Sequence, residues 1–188
     1  MLMKQLLALA VLPAWLFAKP GAVVYTSVGD EDSPTTAICD SVATWLKYPQ
    51  ETKGCTDRPA GVKVVIDAIV PPRPTFGAIA KVHAKNGAFS GYTAVEELLP
   101  PIPAGIAVTL VPGGNEKITL SSSQSAELDA GLKLGSRASA VTVRFDPASG
   151  DKRDLFVRIT SGKYAGKSGW TYARQAFIGD SPINALKL

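Results

Sequence analysis

The residue types that most often carry catalysis are scarce and poorly spaced in this 188-residue chain. Its single histidine, His83, alternates with Lys81 on the outward side of a predicted strand, and no partner stands at a recognisable spacing from it. The run Ser121, Ser122 and Ser123 lacks the glycines that expose a nucleophilic serine on a sharp turn. These patterns are typical of a solvated histidine and a polar strand end.

The carboxylates show no catalytic or metal-binding spacing either. Glu96 and Glu97 are adjacent and point apart, whereas glycoside hydrolysis needs two carboxyl groups facing each other about 5 to 9.5 Å apart. Glu127 and Asp129 have no charged helper nearby, and the acidic run at residues 30–32 fits no calcium-loop spacing. We therefore predict a protein that is not an enzyme and that has no cofactor and no metal.

The start of the chain has the build of a secretory signal peptide. Residues 1–4 supply a positive charge, and residues 5–17 (QLLALAVLPAWLF) are apolar up to the small residue Ala18. The run is shorter than the roughly 20 apolar residues of a membrane span, and Pro13 lies in its middle. We expect residues 1–18 to be cleaved near Ala18, leaving a periplasmic or secreted protein without stable membrane insertion.

The only two cysteines are Cys39 and Cys55. An even pair in a chain that begins like an exported protein predicts a disulfide. Two cysteines with one distant histidine are a poor set of ligands for structural zinc, which takes four. The bridge should stabilise the fold by about 3 kcal/mol and pin one loop.

A short helix is predicted inside that loop. Asp40 or Ser41 can serve as its N-cap, and Val42, Trp45 and Leu46 stand at the spacing of one helical face. A proline soon follows and should end the helix. Because so short a helix is marginal alone, the disulfide and burial of Trp45 must hold it. Trp45 is therefore predicted to be structural.

The charge balance does not favour nucleic acid as a partner. The net charge is only +4, and the basic pair Lys152 and Arg153 stands between Asp151 and Asp154. Nucleic-acid binding calls for clustered lysine and arginine along one face.

Short runs of β-branched and aromatic residues between turn signals predict an all-β fold. In the first half Val62, Val64, Ile66, Ala68 and Val70 share one face at period two. In the second half, residues 141, 143 and 145 form an apolar set of the same kind, as do residues 155, 157 and 159.

The chain also divides into two similar parts. A proline-rich linker at residues 100–105 separates residues 19–99 from residues 106–180, and a tail of residues 181–188 follows. The segment NGAFSGYT in the first part lines up with GKYAGKSGWT in the second, which indicates an internal repeat. The alternative architecture is one larger β-sandwich, and the two parts can either lie apart or pack together.

A resemblance adds to this pattern. Residues 155–177 (LFVRITSGKYAGKSGWTYARQAF), with a Gly-Trp step at 169–170, resemble the distal end of bacterial SH3-like domains. Residues 38–64 (ICDSVATWLKYPQETKGCTDRPAGVKV) resemble a variant whose first long loop carries a helix and two cysteines. The resemblance implies two tandem small SH3-like β-barrels, the first with a short disulfide-pinned helix in a long loop. It also implies mainly structural roles for Trp170 and for Tyr92, which holds the corresponding place in the first part.

SH3-like barrels bind extended peptides in aromatic-lined grooves, so the resemblance implies a binding module. The candidate groove aromatics in this chain are Tyr25, Tyr48, Phe89, Tyr164 and Tyr172. The first hypothesis is recognition of peptidoglycan or its stem peptides in the cell envelope. The alternatives are a periplasmic or secreted protein interaction or inhibitor module, and a cell-wall hydrolase that depends on His83.

Overall fold

The computed structural model describes residues 17–27, 35–113, 117–125, 131–135, 137–149 and 152–185. Residues 1–16 of the predicted signal peptide lie outside these ranges. So do the acidic run at residues 30–32 and the pair Glu127 and Asp129.

Antiparallel strands are the main secondary structure of the described residues, which confirms the prediction of an all-β protein. The first sheet contains seven strands, which are β1 (Val23–Thr26), β2 (Thr35–Cys39), β3 (Cys55–Pro59), β4 (Lys63–Val70), β5 (Ile79–Ala84), β6 (Ser90–Ala94) and β7 (Leu98–Leu99). Their order across the sheet is β3-β2-β6-β5-β4-β1-β7. A 3-10 helix over Val95–Glu97 connects β6 to β7.

The second half of the chain forms a six-stranded sheet and a two-stranded sheet. The six strands are β8 (Ala107–Leu110), β11 (Ala138–Phe145), β12 (Leu155–Ile159), β13 (Ser168–Thr171), β14 (Ala176–Ile178) and β15 (Ser181–Pro182), in the order β13-β12-β11-β8-β14-β15. The smaller sheet pairs β9 (Ile118–Leu120) with β10 (Leu132–Gly135). A bridge between Ser121 and Trp170 joins it to β13, and a 3-10 helix over Ala173–Gln175 precedes β14.

The two large sheets share one strand order. The series β6-β5-β4-β1-β7 corresponds to β13-β12-β11-β8-β14, and each last strand follows a 3-10 helix. The long strands β4 and β11 both carry a register shift, after Ile66 and after Thr142. The carbonyls of these two residues accept equivalent 2.7 Å hydrogen bonds from the backbone amides of Gly21 and Gly105.

Neither sheet closes on itself among the described residues, so the expectation of closed barrels is not met. The first sheet ends at β3 and β7, and the second ends at β13 and β15. The physical reason in the first sheet is that the long loop after β1 itself forms β2 and β3. Strand β2 pairs with β6 and occupies the edge that closure would need.

Buried side chains form two separate clusters, one in each half of the chain. The first includes Val24, Ile66 and Leu98. The second includes Leu110 and Leu155 and extends over the two-stranded sheet. The clusters share no residue, which differs from the single interior of one larger β-sandwich.

The linker at residues 100–105 is packed rather than free. Ile102 is only 7% exposed and belongs to the second cluster. The Thr142 hydroxyl donates a 2.7 Å hydrogen bond to the carbonyl of Pro103. These contacts fix the linker against the second sheet.

The predicted disulfide is confirmed. Cys39 and Cys55 face each other in the β2–β3 ladder and are bonded at 2.03 Å. The loop between them holds the helix α1 (Val42–Trp45), whose N-cap Ser41 accepts a 3.1 Å hydrogen bond from the Thr44 amide. The capped helix was therefore predicted correctly, although it has a single turn.

The apolar faces differ in part from the predicted ones. The register shift after Ile66 exposes Ala68 and turns Ile69 toward the core, so period two does not continue along β4. On β11 the inward residues are Ala140 and Thr142, and Val143 is 41% exposed. The alternation on β12 was correct, because residues 155, 157 and 159 are all buried.

Candidate functional site

The five predicted groove aromatics are all half-buried, but they do not line one common surface. Phe89 packs against the first core, with the Arg58 guanidinium 4.5 Å from its ring centroid. Tyr164 packs against the second core, with the Lys163 ammonium 5.4 Å from its ring. Both rings contribute mainly to packing.

Tyr48 and Tyr172 are held by polar neighbours. The Tyr48 hydroxyl donates to Asp57 across 3.4 Å beside the helix α1. The Tyr172 ring has two guanidinium neighbours, Arg174 at 4.5 Å and Arg153 at 5.6 Å from its centroid. Both tyrosines are thus partnered within the fold.

Tyr25 is the predicted aromatic that lines an open cleft. The cleft has a volume of about 230 Å³ and lies between the two sheets. Its walls are a tyrosine, a phenylalanine, an isoleucine and three prolines, namely Tyr25, Pro101, Ile102, Pro103, Phe145 and Pro147. We call this surface the Tyr25 cleft.

Strand alternation places the Tyr25 ring in the cleft. Its neighbours Val24 and Thr26 are fully buried on the core side of β1, so Tyr25 points to the other side. Lys63 is its ladder partner on β4, and the Lys63 ammonium lies 5.5 Å from the ring centroid. The aromatic ring that lines the cleft therefore has a cation beside it, although Lys63 is not itself a lining residue.

The opposite wall is shaped by the turn after β11. Phe145 ends the strand, and Asp146 holds the turn by accepting a 3.1 Å hydrogen bond from the Ala148 amide. The second carboxylate oxygen of Asp146 accepts a 2.9 Å hydrogen bond from the Gln124 side chain. Pro147, between these anchored residues, is thereby presented to the cleft.

The two halves touch next to this turn. Gly61 has a φ of +81°, and a Cβ atom built on it would lie 2.6 Å from the Cβ of Ala148. A residue with a side chain could not occupy this place without moving the turn. Glycine at this position therefore permits the close approach that forms the cleft.

Sequence reasoning identified Tyr25 but missed the other walls of the cleft. The proline-rich stretch was interpreted as a linker, and Phe145 as part of the apolar face of a strand. A detectable signal was present, since two prolines flank a single apolar residue at positions 101–103 and Phe145 precedes Asp-Pro. Whether these residues lie next to Tyr25 depends on how the two halves of the chain pack together, which the sequence pattern does not show.

The three aromatics predicted to be structural differ in burial. Trp170 is 5% exposed, contacts Phe156 edge-to-face at 5.3 Å and lies 4.7 Å below the Arg144 guanidinium. Tyr92 and Trp45 are half-buried. Trp170 is thus buried, although it belongs to neither of the two core clusters.

The histidine has a partner that the sequence did not reveal. His83 Nδ1 lies 2.7 Å from an oxygen of Asp67, and both side chains are partly exposed. Asp67 stands at the register shift of β4, which is why simple alternation did not place it beside β5. Neither residue lines the Tyr25 cleft. Within the described residues, no three His, Cys, Asp or Glu side chains are grouped to hold a metal ion.

One half-buried carboxyl group has a raised pKa. Desolvation raises the pKa of Asp154 from its ordinary 3.8 to about 6, against the opposing effect of a hydrogen bond from the Ala173 amide. That hydrogen bond is 2.6 Å long and fixes the start of the second 3-10 helix. Arg174 lowers and Asp146 raises the same pKa to smaller extents.

Comparison of the chain with family models, with curated proteins and with solved structures gives no match. None of the helices in the described ranges has the length and apolar character that crossing a membrane requires.

Proposed function

We propose that this chain is a non-catalytic, exported binding protein that takes an extended peptide of the cell envelope in the Tyr25 cleft. Peptidoglycan stem peptides are the proposed ligands. The observation that carries the proposal is an open cleft walled by two aromatic rings and three prolines. Such walls suit the stacking and apolar contacts by which extended peptides are recognised.

Two tandem SH3-like units, residues 19–99 and 106–180, are the architecture we propose for it. The support is the shared strand order, with a 3-10 helix before the last strand of each series. A further support is the glycine before Tyr92 and before Trp170. A Cβ atom at Gly91 or Gly169 would lie within 3 Å of the neighbouring strand, so both steps need glycine for the same reason.

The size of the cleft bears on the kind of ligand. Sites that enclose a whole small molecule usually have volumes of about 300 to 1,000 Å³. At about 230 Å³ and open to solvent, the Tyr25 cleft suits one or two side chains of a longer chain. An extended peptide fits this description better than a compact metabolite does.

Export and an oxidising location belong to the same proposal. The disulfide between Cys39 and Cys55 is compatible with such a location, because disulfides persist outside the reducing cytoplasm. The apolar start of the chain supports cleavage near Ala18.

The test is retention by purified peptidoglycan. Full-length mature protein is mixed with insoluble wall material and sedimented, and soluble wall fragments are then titrated by calorimetry. Tyr25→Ala should lower affinity about fivefold or more, since a buried aromatic contact contributes about 1 kcal/mol or more. Tyr48→Ala is the matched control, because Tyr48 is also half-buried but lies outside the cleft.

Two results would reject the proposal. One is the absence of any binding by the wild-type protein to wall material. The other is an equal loss of binding in the two tyrosine variants. Capture of a defined envelope protein without wall retention would instead support the interaction or inhibitor module. Peptide turnover that disappears in His83→Ala would support the hydrolase.

A further inference from the structure

A second cleft is lined by Leu99, the ladder partner of Tyr25. It has a volume of about 410 Å³ and lies between the first sheet and residues 184–185. Its lining is Ser27, Ala78, Val95, Glu96, Leu98, Leu99, Asn184 and Ala185. We call it the Glu96 cleft.

The two clefts are linked through the end of β1. Tyr25 lines the first cleft, and Ser27, just past the end of the strand, lines the second. The Ser27 amide donates a 2.9 Å hydrogen bond to the Glu97 carbonyl, which holds this end of the segment against the 3-10 helix. Leu99 pairs with Tyr25 in the ladder and lines the second cleft. An extended chain could therefore run from one cleft to the other.

The two ends carry opposite charges. The Lys63 ammonium stands over the Tyr25 ring at one end, and the exposed carboxylate of Glu96 lines the other. In the part of the chain that the structure describes, neither group forms an ion pair. The two clefts are lined in part by apolar residues, including Pro101, Val95 and Leu99.

We infer that the two clefts form a single groove that selects peptides bearing a primary amine, bound at Glu96, and a carboxylate, bound at Lys63, with an apolar segment between them. This inference rests on the proposed function and names the ligand chemistry of the same site.

The charges add selectivity rather than most of the affinity. An exposed ion pair contributes about 0.2 to 1 kcal/mol, which corresponds to a change in Kd of about 1.4-fold to fivefold. The apolar contacts at Tyr25 should supply more. The Glu96 contribution should fall as salt rises, because exposed pairs are screened.

The test measures binding of soluble wall fragments released by a muramidase, used as prepared or after N-acetylation of their free amines. With wild-type protein at low salt, acetylation should weaken binding about two- to fivefold. Glu96→Gln should weaken binding of the unmodified fragments equally and should be insensitive to acetylation. Glu51→Gln is the matched control, because Glu51 is an exposed carboxylate that lines neither cleft.

A charge swap makes the test sharper. Succinylation turns the ligand amine into a carboxylate, so Glu96→Lys should bind succinylated fragments better than the wild type does. Circular dichroism checks that each variant is folded. Unmodified fragments that bind Glu96→Gln as tightly as wild type, while Tyr25→Ala still weakens them, would overturn this inference and leave the proposed function standing. Fragments that do not bind wild-type protein at all would overturn both.

Discussion

Replacing Asp154 by asparagine should stabilise the protein at neutral pH and remove part of its pH dependence. The Asp154 residue is half-buried, and its carboxyl group accepts the amide hydrogen bond of Ala173 at 2.6 Å. Desolvation is the main reason that its pKa rises from 3.8 to about 6. Asparagine keeps an oxygen to accept that hydrogen bond but cannot ionise.

The sign and size of the effect follow from proton linkage. The folded protein binds the Asp154 proton more tightly than the unfolded chain does. The stabilisation of the folded state by protonated Asp154 is therefore fully present below about pH 4. This stabilisation declines as the pH rises from about 4 to about 6, and it is absent above that range. A rise from 3.8 to about 6 corresponds to about 3 kcal/mol. This figure already includes the attraction between Asp154 and Arg174, because that attraction is one of the effects that set the pKa.

The assay is urea denaturation of wild type and Asp154→Asn at several pH values between 4 and 7.5. The difference in free energy of unfolding should be near zero at pH 4 and should grow to at most about 3 kcal/mol above pH 6. Asp180→Asn is the control, because Asp180 is exposed. A difference that does not change with pH, or a variant less stable than wild type at pH 7.5, would refute the reasoning.

Three further substitutions test the packing. Gly61→Ala should lower the melting temperature more than Gly87→Ala, because both glycines have positive φ but only Gly61 abuts Ala148. Cys39→Ser should lower the free energy of unfolding by about 3 kcal/mol, measured by urea denaturation, since the bridge closes a loop with a separation of 16 residues. Ser121→Ala should leave stability unchanged or raise it by about 1 kcal/mol in the same assay, because its buried hydroxyl makes no hydrogen bond within the described residues.

Each of these predictions has a contrary result. Equal melting of the two alanine variants would argue against contact between the halves at Gly61. An unchanged unfolding curve for Cys39→Ser would mean that the bridge does not stabilise the fold. For Ser121, the comparison is Thr171→Val, which removes a buried 3.0 Å hydrogen bond to Gln175 and should destabilise. If Ser121→Ala destabilised the protein as much, its hydroxyl would have a partner.

The sequence predicted those parts of the fold that depend on neighbouring residues. The all-β class followed from short alternating runs between turns, and the disulfide from an even cysteine pair. The cap at Ser41 followed from a serine ahead of an apolar helical spacing. The register shifts in β4 and β11 were missed. An extra residue in a strand moves the side chains that follow it to the other side of the sheet, and no residue type in the sequence marks its position. That is why Ala68 and Val143 were assigned to the wrong face.

The candidate site was predictable only in part. Tyr25 was named because it is an aromatic residue near the end of a predicted strand, which is a local property. Its companions Phe145 and Pro147 lie about 120 residues away, and the pairing depends on how two sheets meet. The contact of His83 with Asp67 was missed for a related reason, since it spans two strands at an irregular point in the ladder.

The linker shows how the cleft could be built from two similar sheets. Pro101 and Pro103 have no backbone N–H, so they can line an open cleft without leaving a donor that needs a partner. Ile102, between them, is buried in the second core and anchors the stretch. A ligand that rests on both prolines and on Tyr25 therefore contacts the linker, which is packed against the second sheet, and strand β1 of the first sheet. Binding should stabilise the contact between the halves as well as the site, so saturating ligand should raise the melting temperature of Gly61→Ala as well as that of the wild type.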